Sequence, residues 1–154
     1  MRELILHTRD LAVGYGGKAL IDDIALTVRP GEILTLIGPN GAGKSTILKT
    51  ITRQLKPVAG AIWLDGKALS GLPERDLART MSILMTERVD PERMTCEDVV
   101  SAGRYPYTGR LGILSAQDRA QVAAAMELVH VAELRDREFS QISDGQRQRV
   151  MLAR

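Results

Sequence analysis

Nine residues constrain this chain more than the rest of it does. "GPNGAGKST", residues 38–46, matches G-x-x-x-x-G-K-[ST] in full. The run "EILTLIG" leading into it is almost wholly apolar, which predicts a strand covered on both faces. "KSTILKTITRQL" after it places Ile47, Leu48, Ile51 and Leu55 on one helical face. A glycine-rich turn between a strand and a helix N-terminus is an anion cradle. The glycines let consecutive backbone N–H groups approach without Cβ interference, and the helix end adds partial positive charge. Lys44 is then placed to meet β- and γ-phosphates as a point charge, and Ser45 to offer its hydroxyl to Mg²⁺. An ordinary strand–helix turn would need neither the lysine nor the hydroxyl, so the full motif points to a nucleoside triphosphate.

Around this centre the chain alternates strands and helices, which makes the class α/β. "LILHTRDLAVGY" and "ALIDDIALTV" read as half-buried strands joined by a "GYGGK" turn. "GAIWLDGKAL" predicts a strand and turn, "LPERDLART" a short helix opening on proline, and "MSILM" a further buried strand. From Thr95 onward the pattern turns helical. Thr95 is expected to cap "CEDVVSAGR", and Ser115 with Asp118 to cap "SAQDRAQVAAAMELVHV", where Val122, Met126 and Val129 recur at helical spacing. Ser143 and Gln146 form the same capping pattern at the head of "QISDGQRQRVMLAR".

Bulk properties exclude several classes. At 154 residues the chain has room for one domain. A net charge of +2, with acids interleaved among the bases, argues against nucleic acid as a partner. The single cysteine, Cys96, allows no internal disulfide and reads as packing. No apolar run is long enough to span a bilayer. His7 and His130, expected in a strand and a helix, have no partners at metal or triad spacing and read as structural. Trp63, between Ile62 and Leu64, reads as partial core.

Tyr15 in "VGYGG", the stretch "IALTVRPGEILTLIGPNGAGKST", the strand "GAIWLDGKAL" and the ending "ISDGQRQRVMLAR" together resemble the ATP-binding domain of ABC transporters, from end to end of the chain. The stretch from "ARTMSILMTERV" through "SAQDRAQV" further resembles the ATPases of importers for iron complexes, siderophores and cobalamin. The resemblance implies a P-loop NTPase fold of the ABC ATPase type, with N-terminal antiparallel strands, a mixed or parallel core sheet and a helical subdomain. Residues 1–86 would form the nucleotide-binding core, 87–142 the helical subdomain, and 143–154 the signature and the start of its helix. ATP and Mg²⁺ are the implied cofactors. Gly38, Pro39, Asn40, Gly41, Ala42, Gly43, Lys44, Ser45 and Thr46 would hold the phosphates, with Ser45 on the metal and Tyr15 stacked on adenine. Ser143, Gly145 and Gln146 would contact the γ-phosphate held by a second subunit in a head-to-tail dimer. Transmembrane permease subunits, and a place on the cytoplasmic face of the plasma membrane, are implied as well.

Two positions depart from the family pattern. The signature carries Asp144-Gly145 where two glycines are usual, so Asp144 is expected to face outward or to meet a partner cation. Where the family has a glutamine that senses Mg²⁺ and the γ-phosphate, the register gives Thr86, shorter and stiffer at χ1, with Glu87 next to it. The family's acidic-ended strand and switch histidine have no counterpart before Arg154. The expectation is therefore an N-terminal part of a longer ATPase, inactive by itself. The competing readings are a nucleotide-binding module without turnover, and a soluble ABC-type ATPase acting on DNA or ribosomes.

Overall fold

The structure, a computed structural model, describes residues 5–84, 91 and 93–154. It divides into two compact units, Met1–Leu77 and Ala78–Arg154. In the first, strand β1 (Leu6–Tyr15) is central. It pairs antiparallel with β2 (Lys18–Ile24), β3 (Thr27–Val28) and β4 (Ala59–Leu64), and β4 pairs with β5 (Lys67–Ala68). One strand serves this many partners because it bends. Its alternation breaks at Asp10, whose φ is +47°, and the register with β4 shifts between Arg9 and Ala12. Residues before the bulge pair with β3 and β4, and those after it pair with β2, from Leu11 opposite Ile24 to Tyr15 opposite Lys18. Gly60 on β4 has φ +76°, and a Cβ there would lie 2.2 Å from the Asp10 carbonyl oxygen. Only glycine fits opposite this bulge. Thr8 ties β2 to β3, donating to the Ile24 carbonyl and accepting from the Leu26 amide, each at 2.8 Å.

Helix α1 (Lys44–Ile51) forms as the sequence predicts, with a different face inward. Thr46 and Thr50 are its buried residues, while Leu48 is 52% exposed and Ile47 and Ile51 are only part-buried. Thr50 satisfies its hydroxyl by donating to the Thr46 carbonyl at 2.8 Å, which makes a threonine face tolerable against β1. Leu55 lies past the end of the helix. "EILTLIG" and "MSIL" are a second correction, since neither joins a ladder. Ile33 is 94% exposed and Ile37 90%, and Ile83 and Leu84 are about half exposed. An apolar run supplies strand propensity, but a strand exists only where a neighbour takes its backbone groups, and among the described residues these segments have no such neighbour.

The second unit is helical and closed. α2 (Glu74–Thr80) leads into it, followed by α3 (Cys96–Ala102), α4 (Ala116–Leu128) and α5 (Asp144–Ala153). The last three share one core in which Cys96, Val122, Met126, Val131, Phe139 and Val150 are all at most 2% exposed. Burial pushes the Cys96 thiol up, away from thiolate chemistry. Thr95, Ser115 and Ser143 each close a capping box, with Asp118 and Gln146 as the reciprocal partners in the latter two, as their spacing predicts. Asp118 also accepts from Arg104 Nε at 3.0 Å and Nη2 at 2.9 Å, and Arg104 stacks over the Tyr107 ring at 4.0 Å. Hydrogen bonds from the Ser115 hydroxyl and amide, then from Arg104, hold the Asp118 carboxyl below the usual range. His130 is not helical: it follows the end of α4 with φ +55°, and its carbonyl accepts from Arg149.

Candidate functional site

The phosphate motif folds into a loop that ends on a bare helix N-terminus. Gly41 and Gly43 take φ of +83° and +85°, and the Ala42 amide turns back to the Pro39 carbonyl. Gly43 is the N-cap of α1, with no side-chain cap and no acid in the first turn. It is constrained twice over, because a Cβ there would also lie 2.5 Å from Ile21 Cδ1 on β2. Lys44, Ser45 and Thr46 are the first three helical residues, whose N–H groups have no acceptor in the helix. Lys44 Nζ donates to the Gly38 and Pro39 carbonyls, both at 2.7 Å, so the ammonium lies over the loop itself. Pro39, Asn40, Gly41, Ala42 and Ser45 are exposed. A cation, open amides and an exposed hydroxyl, with no carboxylate in the loop, suit a polyphosphate.

Among the described residues no group of three or more His, Cys, Asp or Glu side chains is placed to hold a metal. The donor set therefore fits Mg²⁺ carried by phosphate oxygens, with Ser45 as a single protein ligand, rather than an all-protein cage. Tyr15, at the end of β1, is 57% exposed and sets its hydroxyl 3.4 Å from Thr46 Oγ1. The structure thus brings the tyrosine to the last residue of the motif. It also forms a cavity of about 310 Å³ beside Tyr15, walled by residues 14–17 and 55–58. Sequence reasoning missed the second wall. Residues 55–58 reach β1 only because the Val58 amide donates to the Ala12 carbonyl, a pairing with no local signal.

The remaining expected residues lie in the helical unit or outside the description. Ser143 is the N-cap of α5; its amide donates to Gln146 Oε1 at 2.9 Å, and its hydroxyl accepts from the Gln146 amide at 3.4 Å. Asp144 is exposed. Gly145 has no left-handed φ, and a Cβ there would meet nothing within 4 Å. Helical glycine costs roughly 1 kcal/mol relative to alanine, so nothing inside the chain accounts for it. Thr86 and Glu87 lie outside the described residues. A larger cavity, about 360 Å³, sits in the helical unit among residues that include Arg79, Met81, Arg104, Tyr107 and Arg154, away from every expected site residue.

Together, a phosphate loop on an uncapped helix and an antiparallel strand layer define a nucleotide-binding α/β protein of the P-loop class. The model of the ABC transporter family matches residues 21–154, and the chain belongs to that family. It is 45% identical over 97% of its length to an uncharacterized ABC transporter ATP-binding protein of Methanocaldococcus jannaschii, of which it covers 52%. It is 41% identical over 96% of its length to the iron(3+)-hydroxamate import ATP-binding protein of Bacillus subtilis, covering 55% of it. Among solved structures, an ATP-binding subunit of an ABC transporter superposes with a TM-score of 0.80 at 27% identity, over 97% of this chain and 60% of that one. The chain thus spans about half the length of the curated relatives it matches.

Proposed function

We propose that this chain is the nucleotide-binding part of an ATPase subunit that powers an ABC importer for iron complexes, siderophores or cobalamin. The observation that carries the reading is the phosphate loop itself, a complete motif seated on a helix N-terminus that no side chain caps and no acid offsets. The identity to an iron(3+)-hydroxamate import protein supports the cargo class. In this reading Gly38, Gly41, Gly43, Lys44 and Thr46 hold the phosphates of ATP, Ser45 ligands Mg²⁺, and Tyr15 stacks on the base. Thr86 is a second metal contact. The residues that polarise the attacking water lie outside residues 1–154, so these residues bind nucleotide without turning it over.

Ser143, Gly145 and Gln146 would face the γ-phosphate held by a second subunit, in a head-to-tail dimer. The glycine at 145, unexplained within the chain, supports a close approach from outside it. Permease subunits would seat the assembly on the cytoplasmic face of the membrane; no helix among the described residues is long and apolar enough to cross one. Titration of the intact subunit with Mg-ATP tests the core of this. Lys44→Ala removes the charge that meets the β- and γ-phosphates, so binding should weaken sharply or hydrolysis cease. Equal affinity and equal turnover in both proteins would overturn the assignment.

A further inference from the structure

The cavity beside Tyr15 is near the lower end of the size range for small-molecule sites. Its two walls differ in kind. Residues 14–17 are three glycines and the tyrosine, and a Cβ at Gly16 or Gly17 would meet nothing within 4 Å, so that wall offers backbone and one flat ring. Residues 55–58 offer Leu55, Pro57 and Val58, with Lys56 as the only charged side chain in the lining. Tyr15 links this space to the phosphate loop through Thr46, 3.4 Å from its hydroxyl. A slot with apolar walls, one aromatic face and one cation suits a flat heterocycle with acceptors on its edge.

We infer that this cavity takes the base of the nucleotide whose phosphates the loop holds, and that Lys56 sets which purine is preferred. The inference rests on the nucleotide-binding reading and extends it to base selection. An ammonium donates and cannot accept. Guanine presents two adjacent acceptors, N7 and O6, whereas adenine pairs its N7 acceptor with an N6 amino donor. Lys56 therefore finds two partners on guanine, and on adenine one partner beside a repelling group. It raises the affinity for guanine nucleotides relative to adenine nucleotides. Lys56 is exposed, so replacing it leaves the fold intact.

The test compares Mg-ATP, Mg-GTP and Mg-loaded inorganic triphosphate binding to the intact subunit, as wild type, Lys56→Gln, Lys56→Glu and Lys44→Ala. Lys56→Gln should lower the GTP-to-ATP affinity ratio by about three- to tenfold, the size of one charge-assisted hydrogen bond in a solvent-accessible site, with triphosphate binding unchanged. Lys56→Glu should lower the ratio further, because a carboxylate accepts from N6–H and repels O6. An equal loss for all three ligands would make Lys56 a phosphate contact and overturn the inference. An unchanged ratio in both Lys56 variants would overturn it too. If Lys44→Ala leaves all three affinities intact, the phosphate-loop reading fails instead, whatever Lys56 does.

Discussion

The N-terminus of α1 and those of α3, α4 and α5 face the same problem and leave it in opposite states. Every helix start has N–H groups without intrahelical acceptors. α3, α4 and α5 satisfy theirs internally, with Thr95, Ser115 and Ser143 as caps and Asp98, Asp118 and Gln146 reaching back. Their first turns also carry acids: Glu97 and Asp98, Asp118, and Asp144. α1 begins on Gly43, uncapped, with a lysine first and no acid. A side-chain cap is worth about 0.5–2 kcal/mol, so its absence is a real loss of helix stability. The difference separates helix starts that serve folding from one kept open for an outside anion. α5 lies between them, since it is capped and yet carries a glycine that its own fold does not require.

The same contrast holds between the units, and there the largest effect is expected. The helical unit buries its apolar residues, whereas the unit with the phosphate loop leaves Ile33 and Ile37 almost fully exposed. Each forgoes burial worth about 1.5–3 kcal/mol and offers an association site. A polypeptide of residues 1–154 alone should aggregate and show no Mg-dependent ATPase activity. Ile33→Lys combined with Ile37→Lys should suppress the aggregation without lowering the midpoint of unfolding, because neither side chain is buried. Light scattering and thermal unfolding would show both. A monomeric polypeptide with measurable turnover would break the contrast.

Next in size is the helical core. Phe139 is 1% exposed, and truncation to alanine should cost about 3–5 kcal/mol. Nucleotide affinity, measured well below the transition, should stay unchanged, since every contact of the loop described above lies in the other unit. A loss of ATP binding at temperatures where Phe139→Ala remains folded would show that the units do not divide the work this way.

A smaller, pH-dependent effect follows from Asp118. Its carboxyl is held below the ordinary range by Ser115 and Arg104, so protons bind the unfolded chain more readily than the folded one. The stability it contributes is therefore present above the ordinary carboxylate range and is lost as pH falls through the folded value. Acid unfolding followed by circular dichroism should show a steeper loss in wild type than in Asp118→Asn, which has no carboxylate to protonate. Parallel acid limbs in the two proteins would remove Asp118 from this role.

Helix caps and the phosphate loop were legible in the sequence because each is a local rule. Ser115 and Asp118 are three residues apart, and the loop motif occupies nine consecutive positions, so neither depends on what lies across the fold. The strands at "EILTLIG" and "MSIL" were misread because a strand is not local: its apolar run says what it can do, and its ladder partner decides whether it does. The inward face of α1 was misread for a related reason. Periodicity found the stripe of Ile47, Leu48 and Ile51, but β1 packs against Thr46 and Thr50, whose hydroxyls find partners. Residues 55–58 carried no signal at all, since a hydrogen bond to Ala12 brings them to Tyr15.

The smallest expected effect sharpens the helix comparison, because it makes one substitution at two helix starts. Ser143→Ala removes the N-cap of α5 and should cost about 0.5–2 kcal/mol of stability, which Ser143→Thr should largely restore. Ser45→Ala, at the second helical position of α1, removes a hydroxyl that caps nothing and should change stability by less than about 0.5 kcal/mol. Binding should show the reverse order. Ser45→Ala should weaken ATP binding in the presence of Mg²⁺ and leave the Mg-free affinity alone, whereas Ser143→Ala should leave the affinity of an isolated subunit unchanged. If Ser143 also meets the phosphate held by a second subunit, Ser143→Ala should weaken ATP-driven dimerisation beyond what its lost stability accounts for, and threonine should recover it. Equal effects of the two alanines on both stability and Mg-dependent affinity would mean that the open and the capped helix starts do not differ in function.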